Sequence, residues 1–158
     1  MSETILNTIL KDTYTLTLLK HRLRVLKNYL LNQLFTASKV SLNPEDLTWL
    51  NSLGPAFYQQ FNKDNVEEIF SRLEAEIKKE QLLYLYLPFV AGNQVVSQIG
   101  GQIRHIFEKV VLFEIRFDPS LIAGCAISWK GVYRDYSLRA KIDQRKGEIL
   151  QSFKKFLR

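Results

Sequence analysis

The sequence is poor in the residues that most often carry chemistry. Its 158 residues include one cysteine, one methionine and two histidines. The single cysteine, Cys125, excludes an internal disulfide framework and is typical of a reducing compartment. No apolar run approaches the roughly 20 residues of a membrane-spanning helix, and the N-terminus has no signal-peptide pattern. We therefore expect a cytoplasmic protein, with a peripheral position on a membrane complex left open.

The patterns of the common catalytic and metal sites are missing as well. His21 and His105 have no carboxylate, cysteine or second histidine at metal-ligand spacing, which favours two helix-surface residues. Cys125 lies in an apolar run without a local base, which favours a buried structural thiol. Gly100 and Gly101 lie inside a helical pattern and lack the spacing of a phosphate loop, so they indicate close packing or a bend. The sequence predicts no catalytic residue, no metal site and no cofactor.

Charge is distributed unevenly along the chain, although the net charge is +6. Residues 1–42 carry six basic against two acidic side chains, residues 43–81 carry four against eight, and residues 82–158 carry twelve against six. This alternation favours a protein that docks partners over one coated for nucleic acid. The basic run KHRLRVLK (20–27) would either contact phosphates or anionic lipid, or form the solvated face opposite a leucine stripe.

Helical periodicity dominates the first half of the chain. Residues 3–35 are predicted to be one helix, or two helices divided near Asp12–Tyr14 by threonines of low helix propensity. A connector over 36–42 precedes further helices over 43–53, through Phe57 and Phe61, and from about Asp64 to Ile77. Five leucines share one stripe of the first segment and are the candidate partner-binding surface: Leu16, Leu19, Leu23, Leu26 and Leu30.

The second half predicts the order β-α-β-β-β-α. Apolar and alternating runs predict strands within 82–88, 110–117, 124–130 and 132–134. A helix over 93–107 is predicted to turn Val95, Val96, Ile99, Ile103, Ile106 and Phe107 inward. A single closing helix from Tyr136 is predicted to bury Leu138, Ile142, Ile149, Phe153 and Phe156. We expect an α+β fold in which a helical region (1–81) precedes a small sheet domain (82–158) with helices on one face.

Residues 118–142 combine two turn patterns with a helix start. Asp118-Pro119-Ser120 favours a turn, because Asp accepts backbone N–H bonds and Pro presets φ. Gly124 permits a close backbone approach or a bulge at the start of a strand. Asp135 or Ser137 can cap the final helix, and Arg139 is near enough to pair with Asp135. These roles are architectural and activate no nucleophile.

The same residues resemble a known family. Asp118-Pro119-Ser120-Leu121-Ile122, Gly124 and then Asp135, Ser137, Leu138, Arg139, Lys141 and Ile142 are similar to the D-P-S-L-I-G-G and D-G-S-[VL]-R-x-[RK]-[LI] segments of the F-type ATP synthase delta subunit, the oligomycin-sensitivity-conferring protein of mitochondria. The resemblance covers the C-terminal domain, about residues 82–158. Ala123 and Tyr136 stand where that family has glycines, and fewer residues precede the sheet than in its six-helix N-terminal bundle.

The resemblance implies a non-catalytic stator subunit in the peripheral stalk. The helical part would bind the alpha subunits of the catalytic head, and the C-terminal domain would bind the membrane-anchored b-type stalk, with no nucleic acid as partner. Such a protein is cytoplasmic and peripheral to the cell membrane through its complex. Three alternatives stay open: a ferredoxin-like nucleic-acid-binding module with a basic helical arm, a stalk subunit of a vacuolar or archaeal-type ATPase, and an interaction protein using a delta-type domain in another assembly. The first would need exposed aromatics on its sheet, and the third strand offers only Trp129.

Overall fold

The computed structural model describes residues 2–36, 41–108 and 110–157, and the chain divides into two units, 1–80 and 81–158. The first unit is helical, and the second holds a four-stranded sheet with helices. This mixed α+β organisation confirms the predicted fold class. Among the described residues, no helix has the length and apolar character needed to cross a membrane.

Five α-helices and one π-helical turn make up the described part of the first unit. They are α1 (Ser2–Leu10), α2 (Leu16–Leu31), the π-helical turn Asn32–Thr36, α3 (Pro44–Ser52), α4 (Pro55–Tyr58) and α5 (Val66–Ile77). Of the two options left open for residues 3–35, two helices are correct. Most of the predicted connector, residues 37–40, lies outside the described residues.

The break between α1 and α2 is held by side chains as well as by low helix propensity. Thr15 begins α2, and its Oγ1 accepts a hydrogen bond from the Leu18 amide at 3.2 Å. Arg22 Nη1 reaches back to the break and donates to the Asp12 carbonyl at 2.9 Å and to Thr13 Oγ1 at 2.7 Å. The guanidinium of Arg22 also lies 4.9 Å from the Trp49 ring centroid. Burial lowers the pKa of Arg22, and the carboxylates of Asp12 and Asp46 oppose that shift.

The α3 helix begins where the sequence predicts, with a proline rather than a side-chain cap at its start. Pro44 occupies its first turn and Asn43 is extended, yet the Asn43 side chain makes no capping hydrogen bond. Pro44 needs no amide partner and presets the helical φ, which is enough to start the helix. Glu45 and Asp46 lie in the first turn, where carboxylates favour the helix dipole.

The second unit is built on a mixed sheet in the order β2-β1-β3-β4. Its elements are β1 (Leu83–Leu87), α6 (Asn93–Phe107), β2 (Phe113–Phe117), a 3₁₀ turn (Pro119–Leu121), β3 (Ala126–Trp129), β4 (Val132–Asp135), α7 (Leu138–Gln144) and α8 (Lys146–Phe156). Strand β1 pairs parallel with β2 and antiparallel with β3, and β3 pairs antiparallel with β4. Lys130 and Gly131 join β3 to β4 with positive φ at both residues, as in a type I′ turn.

Helix α6 contacts the apolar face of the sheet through Phe107. Leu83, Leu85 and Leu87 are buried on this face, and the Phe107 ring of α6 lies 5.6 Å from the Trp129 ring of β3. Gly100 is buried, which fits close packing of the helix. The prediction that Ile106 points inward is wrong, since its side chain is 71% exposed. Ile106 lies at the edge of the helical stripe, away from the side that carries Gly100 and Phe107.

The predicted closing helix is two helices, and its apolar stripe is not buried. Arg145 leaves the helical region of backbone space, with φ −105° and ψ 11°, and separates α7 from α8. No apolar side chain stands between Ile142 and Ile149, so nothing anchors the chain at this point. All five residues predicted to be inward are exposed: Leu138, Ile142, Ile149, Phe153 and Phe156.

Candidate docking site

The Asp118 turn closes the parallel pair of strands. The Asp118 amide donates to the Leu87 carbonyl at 2.8 Å, which extends the β1–β2 pairing by one bond. Asp118 Oδ1 then accepts from the Ser120 amide at 3.0 Å and from Ser120 Oγ at 2.6 Å. Leu121 ends the turn with a fully buried side chain. The turn predicted from Asp118-Pro119-Ser120 is therefore present and anchored at both ends.

The second half of the motif starts α7. Asp135 Oδ1 accepts from the Ser137 amide at 2.8 Å, and Ser137 Oγ accepts from the Ala140 amide at 3.2 Å. Ser137 is fully buried, so its hydroxyl caps the helix away from solvent. Hydrogen bonds from Ser137, and then the positive charge of Arg139, lower the pKa of Asp135. The cap is therefore built around an ionised carboxylate.

Arg139 links the two halves of the motif. Its Nη1 donates to Ser120 Oγ at 2.7 Å, and its Nη2 lies 3.6 Å from Asp135 Oδ2. We call Asp118, Ser120, Asp135, Ser137 and Arg139 the clamp. Each of its polar groups is used by another member or by the backbone of a turn, an arrangement that fixes geometry rather than activating a reacting group.

Two backbone bonds tie α7 to the strand β3 region. The Leu138 amide donates to the Ala123 carbonyl at 2.8 Å, and the Tyr136 amide donates to the Cys125 carbonyl at 2.9 Å. Gly124 lies between these bonds with φ +83°, and a Cβ there would stand 2.7 Å from the Tyr136 carbonyl oxygen. The close backbone approach predicted for Gly124 is thus confirmed, and it excludes any side chain.

Ile122 has a conformation that the sequence did not reveal. Its φ of 68° and ψ of −57° belong to the strained γ-turn, and the Ala123 amide closes that turn on the Leu121 carbonyl at 2.8 Å. A β-branched residue is unfavourable at positive φ. The Ile122 side chain is nevertheless 60% exposed, so it contributes little to the core.

Helices α7 and α8 present an apolar groove of about 850 Å³ to solvent. Its apolar lining is Leu138, Ile142, Ile149, Phe153 and Phe156, and its charged lining is Lys141, Arg145 and Glu148, the last two paired at 2.9 Å. Between Leu138 and Leu157 there are six basic and two acidic residues. An apolar groove on a segment with a net positive charge suits an amphipathic helix with acidic flanks. We call the five lining residues the α7–α8 stripe.

The leucine stripe of α2, which the sequence suggested as a partner-binding surface, is mostly buried. Leu19, Leu23, Leu26 and Leu30 are buried within the first unit, and Leu16 is half-buried. These leucines therefore stabilise the helical unit, and little of their surface is left for a partner.

A second groove, of about 360 Å³, lies between α2 and α5. Leu23, Phe70 and Ile77 form its apolar lining, and Lys20, Arg24, Lys27 and Lys78 form most of its polar border. Lys27 Nζ lies 2.8 Å from Glu67 Oε2 and 5.9 Å from the Phe70 centroid. We call this the α2–α5 groove. Part of the basic run is therefore engaged in contacts within the first unit, as the contacts of Lys27 and Arg22 show.

The residues weighed for catalysis or metal binding are dispersed. His21 Nε2 lies 2.8 Å from Asp46 Oδ1, a contact that joins α2 to α3 and that sequence spacing gave no sign of. His105 is exposed in the last turn of α6, and Cys125 is half-buried rather than fully buried. Within residues 2–36, 41–108 and 110–157, no three His, Cys, Asp or Glu side chains gather into a possible metal site.

The face of the sheet opposite α6 carries tyrosines that the sequence analysis missed. Tyr84 and Tyr86 alternate with the buried leucines of β1, and the Arg116 guanidinium lies 4.5 Å from the Tyr84 centroid. Tyr86 packs edge-on against Tyr133, with centroids 5.8 Å apart. Desolvation, and then the negative charge of Asp135, raises the pKa of Tyr133. The sequence contained the signal for this surface, because alternation in LYLYL places both β1 tyrosines on one face of the strand.

Comparison with protein-family models and with characterised proteins found no match for this chain. The likeness to the delta family therefore depends on the residues of the clamp and its neighbours.

Proposed function

We propose that the protein is a non-catalytic stator subunit of a rotary F-type ATP synthase, joining the catalytic head to the b-type stalk. The observation that carries the proposal is the clamp beside the α7–α8 stripe. The motif residues fix a helix start, and the helix they fix leads into a large apolar surface that the chain itself leaves exposed. Five exposed apolar side chains gathered on one surface favour a binding site.

The second unit supplies the stalk-binding surface. A b-type stalk helix lies along the α7–α8 stripe with its apolar side on Ile142, Ile149 and Phe153. Lys141 then faces an acidic residue of the stalk helix, whereas Arg145 is paired with Glu148 of α8. Helix-in-groove binding uses apolar anchors at one-turn spacing, and the stripe offers them over both helices.

The first unit supplies the head-binding surface. The N-terminal segment of an alpha subunit lies at the α2–α5 groove and contacts mainly its basic border, because the apolar lining of Leu23, Phe70 and Ile77 is buried and leaves little surface for a partner. In this arrangement the protein is peripheral to the cell membrane through its complex, and its work is to transmit torque without chemistry.

Affinity purification of the tagged chain from native membranes tests this function. We expect the alpha and b-type subunits to be recovered with the wild-type chain. Lys20→Glu combined with Lys78→Glu should reduce recovery of alpha subunits and leave the b-type subunit. Ile142→Asp combined with Phe153→Asp should have the opposite effect. Recovery of neither subunit by the wild-type chain would refute the proposal.

One observation favours a second candidate, nucleic-acid binding on the open sheet face. Tyr84, Tyr86, Tyr133 and Arg116 form an aromatic and basic surface of the kind on which bases stack. The carboxylate of Glu114 shares this face, opposite Tyr84, and weakens its attraction for phosphate. Affinity for single-stranded RNA that falls steeply with salt, and that Tyr86→Ala abolishes, would establish this candidate.

A further inference from the structure

Resting on the proposed function, we propose that Ile122 is a principal anchor for the b-type stalk helix, held outward by its strained γ-turn. The burial of Leu121 and Ile122 does not fit a role of Ile122 in folding. Leu121 is fully buried, whereas Ile122 is 60% exposed. The core is served by Leu121, so stability gives no reason for a large β-branched side chain at the next residue.

The backbone at Ile122 makes that residue costly to keep. With φ 68° and ψ −57°, glycine would adopt this turn without strain and isoleucine does not. Strain of this kind persists where the surrounding structure over-determines it, and it gathers at ligand-binding sites. Here the turn is held on one side by Asp118 and Ser120 of the clamp, and on the other by the bond from Leu138 to Ala123.

The position of Ile122 connects it with the α7–α8 stripe. Because the Leu138 amide bonds the Ala123 carbonyl at 2.8 Å, the strained turn lies directly against the first residue of the stripe. Leu138 is itself exposed and lines the groove. Ile122 is outside the groove lining, and its exposed side chain stands on the turn that is bonded to the start of α7.

The charge around this surface identifies the occupant as an acidic, amphipathic helix. Lys141, Arg145 and Glu148 line the groove, with Arg145 paired to Glu148 at 2.9 Å, and the segment from Leu138 to Leu157 has three times as many basic as acidic residues. A partner helix that matches this surface carries apolar residues toward Ile122 and Leu138 and a carboxylate toward Lys141.

The experiment compares Ile122→Gly with Glu108→Gly. Glu108 ends α6, is exposed and also has a positive φ, of 52°, so both substitutions relieve strain but only one removes the anchor. Binding is measured by calorimetry with the soluble segment of the b-type subunit encoded in the same genome. We expect both variants to unfold at higher temperature than the wild type, and only Ile122→Gly to lose affinity, by about tenfold or more.

Ile122→Ala gives a second variant that keeps a Cβ and loses the apolar contact, and it should lose affinity as well. Unchanged affinity in both Ile122 variants would overturn the anchor while leaving the stator function standing. An equal loss in Glu108→Gly would also overturn it, because relief of strain elsewhere would then explain the effect. If the wild-type chain does not bind the segment at all, the proposed function fails and the anchor fails with it.

Discussion

Arg139 donates a hydrogen bond to Ser120 Oγ at 2.7 Å, although the two residues are 19 positions apart in sequence. The same Ser120 hydroxyl donates to Asp118 Oδ1, so one hydroxyl couples the turn after β2 to the first turn of α7. The orientation of the α7–α8 stripe relative to the sheet therefore depends on this one polar junction together with the backbone bonds beside it.

Removing the junction should destabilise the second unit without unfolding it. We expect Arg139→Gln to lower the free energy of unfolding by about 1 kcal/mol, since the side chain is partly exposed and the bond is charge-assisted. A double-mutant cycle with Ser120→Ala should give a coupling of roughly 0.5–1 kcal/mol. Urea unfolding followed by Trp129 fluorescence in a Trp49→Phe background measures the change, because the chain has one tryptophan in each unit.

Arg145→Gln is the matched control for that cycle. Arg145 pairs with Glu148 at 2.9 Å on an exposed helix surface, so its loss should change stability by less than about 0.5 kcal/mol. Equal effects of Arg139→Gln and Arg145→Gln would show that the clamp contributes no more than an ordinary surface pair.

Two glycines of the second unit should respond to alanine in opposite directions. At Gly124 the new Cβ would meet the Tyr136 carbonyl oxygen at 2.7 Å and the residue already has φ +83°. We expect Gly124→Ala to destabilise by about 2–3 kcal/mol. At Gly101, inside α6, a Cβ meets nothing within 4 Å, and Gly101→Ala should stabilise by about 0.5–1 kcal/mol. Thermal unfolding of both variants tests these two expectations. Destabilisation by Gly101→Ala would contradict the expectation that α6 has room for a Cβ at residue 101.

The sequence predicted helices and strands well where one hydrophobic pattern dominated the segment. Alternation of Leu83, Leu85 and Leu87 with tyrosines indicated a strand, and helical periodicity located α5 and α6. The turn at Asp118 and the cap at Ser137 were predictable because both are local: a side chain bonds a backbone amide two or three residues away. Contacts of this kind can be predicted because both partners lie close together in the sequence.

The sequence could not predict which apolar helix faces are buried and which stay exposed. The leucines of α2 and the stripe of α7–α8 both recur with helical periodicity, yet the structure buries most of the first set and exposes the second. Periodicity fixes the side of a helix on which residues lie, and only tertiary packing decides what lies against that side. The pairing of His21 with Asp46 and the positive φ of Ile122 were hidden for the same reason, as both depend on distant or surrounding structure.

Acid should weaken the second unit partly through Asp135. Hydrogen bonds from Ser137 lower its pKa in the folded protein below the usual value of 3.8. A depressed folded pKa adds stability that is complete above the unfolded pKa and is lost as pH falls through the folded pKa. Unfolding measured from about pH 6 down to pH 2 should therefore show a steeper loss below about pH 4 in the wild type than in Asp135→Asn. Asp143→Asn on the exposed side of α7 serves as control, and identical acid limbs for wild type and Asp135→Asn would contradict this role.

Phe153 should separate binding from stability. Its side chain is 62% exposed in the α7–α8 stripe, whereas Phe113 of β2 is fully buried. We expect Phe153→Ser to change the free energy of unfolding by less than about 0.5 kcal/mol, and Phe113→Ala to lower it by about 3–5 kcal/mol. Under the proposed function, Phe153→Ser should also weaken binding of the soluble b-type segment by about tenfold or more, because apolar anchors at the centre of a groove carry most of the affinity. Calorimetric titration and urea unfolding of the same preparations test both parts together. Strong destabilisation by Phe153→Ser would mean that the stripe belongs to the core, and unaltered affinity would mean that the stalk helix binds elsewhere.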